Sequence, residues 1–377
     1  MIGAAAVSRQ QDDERFMTLA LALGRRGLGR AWPNPAVGAV LVKDGAIVGR
    51  GWTQPGGRPH GETEALRRAG EAARGATLYV TLEPCSHHGR TPPCAEAIVG
   101  AGVARVVSAL DDPNPQVAGA GHRRLREAGL EVDVGTGAEA ARQAHAGHIR
   151  RIRDGRPHVM LKLAVSADDK AGLAGRRPVA ITGSASRNLV HRLRAMSDAV
   201  LTGIGTVLSD DPLLTCRLPG MAGRSPVRVV LDRALRLPPR SRLLAGAHET
   251  PLWIFTGEQA DADRERGFVA AGAEVVRAPE AEEGLQLPAV LRALAARGIT
   301  RVMVEAGPIL SAAFIRADLI DELVLLRAPH ALGPDAIDAL HGLSLDVLTR
   351  SPRLTAFGAE AMGEDSVGYY TRAEGRV

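Results

Sequence analysis

Aromatic residues are scarce: five Phe, three Trp and three Tyr make up 3% of the 377 residues. A core must therefore be built from Ala, Val, Leu and Ile. No aromatic-interleaved basic patch of the kind that stacks on nucleobases is present. Cysteine is scarcer still, with only Cys85, Cys94 and Cys216. Such an odd, sparse set argues against a disulfide framework and for the reducing cytoplasm. No run of about 18 apolar residues occurs, so no membrane span is expected. The start, MIGAAAVSRQQDDERF, lacks a basic leader and its apolar run stops at Ser8, so it does not read as a secretory signal. Lysine is rare beside arginine, and the formal charge is +5. Arginine suits planar, two-pronged recognition of phosphate. A nucleic acid, a phosphorylated small substrate or a dinucleotide would each satisfy that balance, and net charge does not separate them.

The length calls for two domains, and the shares of hydrophobic (45%) and charged (24%) residues suit a soluble globular chain. The first half alternates strand and helix. Runs at 37–42 and 46–50 flank Lys43-Asp44-Gly45, a hairpin signal. Residues 60–73 have helical spacing, with Ala65, Leu66 and Ala69 on one face. Strands are predicted at 76–84, 103–110 and 131–135, and helices at 94–101, 121–129 and 137–153. The last helix ends in a basic run, suited to the negative end of a helix, and Asp154-Gly155-Arg156-Pro157 then punctuates the chain. The domain boundary is placed there. Alternation resumes with strands at 158–166, 198–204, 227–232, 251–256, 300–305 and 322–327. Helices are expected at 184–197, 259–271, 287–297 and 308–317. This implies an α/β sheet flanked by helices.

His60-Gly61-Glu62 opens a predicted helix, Pro84-Cys85 follows a strand, and Cys94 comes nine residues later. One imidazole and two thiolates form a donor set that suits zinc, and three protein ligands leave a tetrahedral position for water, the catalytic arrangement. Zinc at such a site lowers the pKa of the water toward neutrality. Glu62, two residues from His60, can take a proton without ligating the metal. Both cysteines are expected at helix starts, where the positive helix end favours thiolate. His87 and His88 are alternative ligands. Cys216 has no partner near it and is read as structural. Asn34 before Pro35 reads as a turn residue.

This constellation resembles the zinc-deaminase signature His-x-Glu with Pro-Cys-x-x-Cys, except that the spacing here is Cys-x8-Cys. The string from Pro84 through Ser86-His87-His88-Gly89-Arg90-Thr91-Pro92-Pro93 to Cys94 resembles the riboflavin-pathway deaminases. Asn34-Pro35-Ala36-Val37-Gly38 and Asp112-Pro113-Asn114-Pro115 match further stretches of that family. The family has Ala where this chain has Gly61. The resemblance implies that His60, Cys85 and Cys94 hold zinc, that Glu62 is the catalytic proton carrier, and that Asn34 hydrogen-bonds substrate.

The second half is similar to the reductase domain that follows the deaminase in the same family. The string from Gly155 to Asp168 resembles its first strand. Gly203-Ile204-Gly205-Thr206 and Asp210-Asp211-Pro212-Leu213-Leu214-Thr215 follow a later strand, and Val304-Glu305-Ala306-Gly307-Pro308 closes another. Glycines after a strand let backbone approach pyrophosphate, although Gly203-Ile204-Gly205 lacks the third glycine of the usual fingerprint. The resemblance implies a cytidine-deaminase-like three-layer domain over 12–153, then a dihydrofolate-reductase-like α/β domain over 157–373. It implies NADPH contacts at Ala164, Thr206, Asp210 and Gly307, Pro308, Ile309 and Leu310. It implies substrate contacts at Lys162, Arg194, Leu214, Arg217 and Glu305, with the two arginines on a phosphate. The family's Ser-Leu-Asp-Gly-Arg reads Ser166-Ala167-Asp168-Asp169-Lys170 here, and Ala180 stands where the family often has Trp. The implied activity is bifunctional. A zinc-dependent deamination of a phosphoribosylamino-diaminopyrimidinone is followed by NADPH-dependent reduction of its ribosyl group to ribityl. A cytoplasmic homo-oligomer without nucleic-acid or membrane partners is expected.

Overall fold

The computed structural model describes residues 2–88, 92–115, 117–176 and 179–373, with side chains from residue 9 onward. Gly89, Arg90 and Thr91 of the long cysteine loop lie outside the described residues. The chain divides into two compact units, residues 1–155 and 156–377. Among the described residues no helix is long and apolar enough to cross a membrane.

In the first unit β1 (Gly38–Lys43) and β2 (Ala46–Trp52) form the expected hairpin. Asp44 and Gly45 both have positive φ (50° and 75°), the backbone of a tight two-residue hairpin turn. β3 (Thr77–Val80), β4 (Arg105–Ser108) and β5 (Glu131–Val134) complete a sheet of order β2-β1-β3-β4-β5. β1 runs antiparallel to β2 and β3, whereas β3, β4 and β5 are parallel. Side chains alternate across it. Ala39, Leu41, Leu78, Val80 and Val106 pack with Ala65 of α2 (Gly61–Ala69), Ile98 of α3 (Cys94–Gly100) and Leu125 of α4 (Ala120–Glu127). Val40, Val42, Tyr79 and Val107 face Phe16, Met17, Ala20 and Leu21 of α1 (Ile2–Gly24). The result is helix, sheet, helix.

Glycine sets how closely the layers meet. A Cβ on Gly51 would lie 2.2 Å from the Gly61 carbonyl oxygen, and one on Gly49 would lie 2.4 Å from that of Ala65. Only bare backbone on β2 lets α2 sit this low. The single helix expected over 137–153 is instead α5 (Ala138–Ala144) and α6 (Ala146–Asp154). They break at His145, which is buried with Nε2 3.0 Å from Thr81 Oγ1. That tertiary contact outweighs helical continuity.

The second unit is built on a nine-stranded sheet. Its strands are β6 (His158–Val165), β8 (Ala199–Gly203), β9 (Val227–Leu231), β10 (Leu252–Thr256), β11 (Glu274–Arg277), β14 (Arg301–Val304), β15 (Glu322–Arg327), β17 (Leu354–Met362) and β18 (Asp365–Arg372). The order is β11-β10-β9-β8-β14-β6-β15-β18-β17. All neighbours are parallel except β15–β18 and β18–β17. β7 (Lys170–Gly172) pairs with β16 (Ile337–Asp338), and β12 (Glu280–Ala281) with β13 (Gly284–Leu285). Helices α7 (Ser184–Met196), α8 (Ile204–Asp210), α9 (Arg242–Ala245), α10 (Ala262–Ala270), α11 (Leu287–Ala296) and α12 (Pro308–Arg316) make the crossovers. The expected strands of this half fall within a residue of those observed. The edge strand β11, the final hairpin and α8 were not expected from the sequence. Asp169, where the resembling family has Gly, adopts φ 62°. This left-handed conformation favours Gly and is tolerated by Asp. The carboxylate is held there by Arg327.

Candidate active sites

His60 is the N-cap of α2, in extended backbone (φ −68°, ψ 160°), so its ring leaves the helix axis while Glu62 occupies the first turn. Cys94 is the first residue of α3. Cys85 was also expected to open a helix, but it lies in an irregular segment. Its sulfur nonetheless accepts the Cys94 backbone N–H at 3.3 Å, so the N-terminus of α3 serves both thiols.

His60 Nδ1 is 3.7 Å from Cys85 Sγ and 3.3 Å from Cys94 Sγ, and the three donor atoms lie within 4.8 Å of one another. Nitrogen and sulfur ligands on one tetrahedral zinc are about 3.6 Å apart, so the donor set fits that ion. A hydrogen bond from the Cys94 thiol draws the Cys85 sulfur down to about 4; burial opposes this, and His60 reinforces it. The same hydrogen bond, with burial, pushes Cys94 well up. A dication between the two sulfurs would hold both as thiolates. Glu62 is 3% exposed, and its Oε2 has no hydrogen-bond partner among the described residues. Burial pushes its carboxyl up. A carboxyl with one oxygen left bare beside a donor trio is poised to carry a proton.

Asn34 is brought to the same place. Its Nδ2 lies 2.9 Å from the Gly57 carbonyl and 3.3 Å from His60 Nε2, so the amide braces the far side of the imidazole. Sequence reasoning missed Glu83. Its buried carboxylate accepts the N–H groups of Asp112, Gly119, Gly121 and His122. It folds the Asp112–Asn114 loop against the cysteine loop two residues from Cys85. Because both of its oxygens are taken, its grouping with Asp111 and His122 is a loop clamp. His148 Nε2, 3.4 Å from Asp112 Oδ1, braces the same loop.

In the second unit the named residues gather at the C-terminal ends of neighbouring parallel strands, where α/β sheets bind ligands. Lys162 and Ala164 come from β6, Glu305 follows β14, and Thr206 lies in α8 after β8. Arg194 grips Glu305 with two hydrogen bonds (Nε 2.9 Å, Nη2 2.8 Å) and donates Nη1 to the Thr215 carbonyl at 3.0 Å. Lys162 Nζ stands 3.7 Å from Glu305 Oε1. Burial would raise the Glu305 carboxyl, but the charges of Lys162 and Arg194 prevail and hold it at about 2. Thr206 Oγ1 accepts the Gly307 N–H at 3.1 Å. A Cβ on Gly203 would lie 3.2 Å from Leu310. Gly307 caps α12, whose Pro308 is at N1, so the positive end of that helix faces the strand ends. Ile309 is exposed, as is Asp210 at the end of α8.

Leu214 is buried with φ 55°, a strained backbone for a leucine. The turn it makes carries Thr215 and the exposed Arg217. The sequence placed Arg194 and Arg217 together on a phosphate, yet the structure turns Arg194 inward onto Glu305 and leaves Arg217 as the outward cation. His191 was missed. It touches both Thr215 and Arg217, and its only sequence signal was a place three residues before Arg194.

The fold and sites define the class: a two-domain α/β enzyme with a deaminase-type zinc site in one unit and a reductase site at parallel strand ends in the other. The cytidine and deoxycytidylate deaminase zinc-binding region matches residues 10–110, and the RibD C-terminal domain matches residues 157–367. The riboflavin biosynthesis protein RibD of Escherichia coli (strain K12) is 43% identical over 94% of this chain and 97% of its own length. That of Aquifex aeolicus is 39% identical over 96% and 98%. Acinetobacter baumannii RibD superposes with a TM-score of 0.86 at 36% identity, covering 97% of this chain and all (100%) of that one. The diaminohydroxyphosphoribosylaminopyrimidine deaminase/5-amino-6-(5-phosphoribosylamino)uracil reductase of Thermotoga maritima gives 0.84 at 34% identity, with coverage of 97% and 100%. The chain belongs to the RibD family of riboflavin biosynthesis proteins. It is a bifunctional enzyme with a zinc-binding deaminase domain and a reductase domain that uses NADPH.

Proposed function

We propose that residues 12–153 hydrolyse the 2-amino group from 2,5-diamino-6-(5-phosphoribosylamino)pyrimidin-4(3H)-one. Residues 157–373 then reduce the ribosyl group of the resulting 5-amino-6-(5-phosphoribosylamino)uracil to ribityl. The observation that carries this reading is the meeting of His60, Cys85 and Cys94 beside the bare, buried Oε2 of Glu62.

His60 Nδ1 and the two sulfurs would hold zinc, which supplies Lewis-acid activation of a water molecule. Glu62 Oε2 would take one proton from the attacking water and pass it to the pyrimidine ring nitrogen, then take the second from the added hydroxyl and pass it to the departing amine. Water and amine thus become carbonyl and ammonia. Burial suits Glu62 to this work, because a raised carboxyl is the better proton acceptor. Asn34 holds the His60 ring and offers its amide to the pyrimidine. In the second unit Ala164, Thr206, Asp210 and the segment from Gly307 to Leu310 would line the NADPH site, and the cofactor supplies hydride. Lys162, aimed by Glu305, would give a proton to the ribose ring oxygen as its bond to C1′ breaks, while C1′ takes the hydride and keeps its bond to the amine nitrogen. Arg194 keeps Glu305 ionised, Leu214 walls the pocket, and Arg217 holds the phosphate.

The same reading makes the enzyme cytoplasmic, with a small phosphorylated substrate and neither nucleic-acid nor membrane partners. Association of copies through the reductase unit is supported by edge strand β17, which is exposed almost throughout and carries Phe357, 54% exposed. The test is a two-stage assay on one zinc-loaded sample, following ammonia release and then NADPH oxidation. Deamination of single-stranded nucleic acid in place of the pyrimidinone would overturn the reading.

A further inference from the structure

One residue of the reductase unit has contacts that the proposed reaction leaves unexplained. His191 lies on α7, one turn before Arg194. Its Nδ1 is 3.1 Å from the Thr215 carbonyl oxygen and 3.3 Å from the Arg217 backbone nitrogen, whose N–H points at it. One ring nitrogen thus faces an acceptor and a donor, and it can satisfy only one. The Thr215 carbonyl already receives Arg194 Nη1 at 3.0 Å, whereas the Arg217 N–H has no acceptor other than His191 among the described residues, so the Arg217 N–H is the group that needs His191. This assigns a neutral imidazole with its proton on Nε2 and a lone pair on Nδ1.

The turn held in this way is under strain. Leu214 sits at φ 55°, a conformation that persists only when its surroundings enforce it. Arg194 and His191 grip the turn on its far side, at Thr215 and Arg217. Arg217 itself is exposed, and among the described residues its side chain makes one long contact, Nη1 to Thr215 Oγ1 at 3.4 Å. Its guanidinium is therefore aimed by its backbone. We propose that His191 is a positioning residue for the reductase: by accepting the Arg217 N–H it fixes the turn that presents Arg217 to the substrate's phosphate. This rests on the reading that Arg217 binds that phosphate.

The charges around the ring keep it in the accepting state. Burial lowers the basicity of His191 and the cations Arg194 and Arg217 lower it further; the Thr215 carbonyl and then Glu305, itself shared with Lys162, act the other way without prevailing. Protonation would put a hydrogen on Nδ1, break the bond from Arg217 and add a third cation beside two. As pH falls Nδ1–H turns to the Thr215 carbonyl, and the Arg217 end of the turn loses its clamp.

The test compares His191→Leu, His191→Asn and Arg217→Gln in the full-length enzyme. NADPH oxidation is followed with 5-amino-6-(5-phosphoribosylamino)uracil and with its dephosphorylated analogue. His191→Leu is expected to raise KM for the phosphorylated substrate roughly tenfold, the effect of one lost hydrogen bond to a binding arm. Its kcat should stay within about threefold, and KM for the dephosphorylated analogue should not change. His191→Asn should restore most of the loss, because its amide oxygen occupies the place of Nδ1. The KM of the parent should rise more steeply than that of His191→Asn as the pH drops below 6.5, the ordinary histidine value. The phosphate titrates alike in both proteins, so the difference isolates His191. If Arg217→Gln leaves KM unchanged, the phosphate reading falls and takes this inference with it. If Arg217→Gln raises KM while His191→Leu does not, the reading stands and the inference alone fails. It fails equally if both substrates suffer alike, or if His191→Asn is no better than His191→Leu. Should the Leu variant not fold, parallel pH profiles of the parent and His191→Asn would overturn it.

Discussion

Gly51→Ala should silence the deaminase from a position that carries no chemistry. The added Cβ would lie 2.2 Å from the Gly61 carbonyl oxygen, 2.6 Å from the Ala65 nitrogen and 3.0 Å from Glu64 Cβ. Two of these three atoms are backbone, so no rotamer change relieves the clash. Reaching an ordinary contact requires α2 to retreat from β2 by about 1 Å. Overpacking of this kind costs about 1–3 kcal/mol, which the unit can absorb without unfolding. The site cannot absorb it, because His60 caps that helix and Glu62 fills its first turn. Zinc ligation tolerates departures of only about 0.2 Å, and a displacement near 1 Å can cost about a hundredfold in rate. We expect purified Gly51→Ala to hold substoichiometric zinc by metal analysis and to release ammonia at least about fiftyfold more slowly. NADPH oxidation with pre-deaminated substrate should be unchanged, because the reductase site lies wholly in the other unit. A variant that kept full zinc and more than half of its deaminase rate would show that α2 is not positioned by its seat on β2.

Three further outcomes follow from the geometry. Glu62→Gln should retain zinc while ammonia release falls by about 10²–10⁴. Thermal stability should hold or rise, because an unpartnered buried carboxyl is replaced by a neutral amide; near-normal turnover would remove Glu62 from the reaction. Removing zinc with a chelator should abolish ammonia release and leave NADPH oxidation on the deaminated substrate intact; loss of both activities would show that the metal also supports the second unit. Glu305 has its pKa depressed from 4.5 to about 2, so its ionised form stabilises the folded reductase above pH 4.5. That contribution, of order 3 kcal/mol, should be lost as the pH falls from about 4.5 to 2. Acid melts of Glu305→Gln should lack this component, and parallel acid profiles for parent and variant would refute the assignment.

Much of the zinc site was legible because its parts are local. His60 and Glu62 share one helical turn, and Cys85 and Cys94 bracket one loop, so residue type and spacing alone specify a three-donor set with a nearby proton carrier. The strands of both units were legible for a similar reason. Continuous apolar runs such as 37–42 and 322–327 mark strands covered on both faces of their sheets. The turn at Asp44-Gly45 is a property of two residues and needed nothing else.

What the sequence could not decide depends on groups that meet from far along the chain. Helix 137–153 breaks at His145 because Thr81, 64 positions earlier, binds its ring. Glu83 clamps backbone at Gly119 and Gly121, and no pattern marks a carboxylate whose partners are N–H groups. Arg194 was expected at a phosphate from the resemblance alone, and no local pattern announced that Glu305, 111 positions later, would meet its guanidinium. His191 had no motif at all; its meaning comes from a strained turn that only packing sustains. Local spacing, fixed by covalent geometry and helical or strand periodicity, is written in the order of residues. Which buried charge finds which partner is settled only when the whole chain has excluded water and every polar group must be satisfied from what lies beside it.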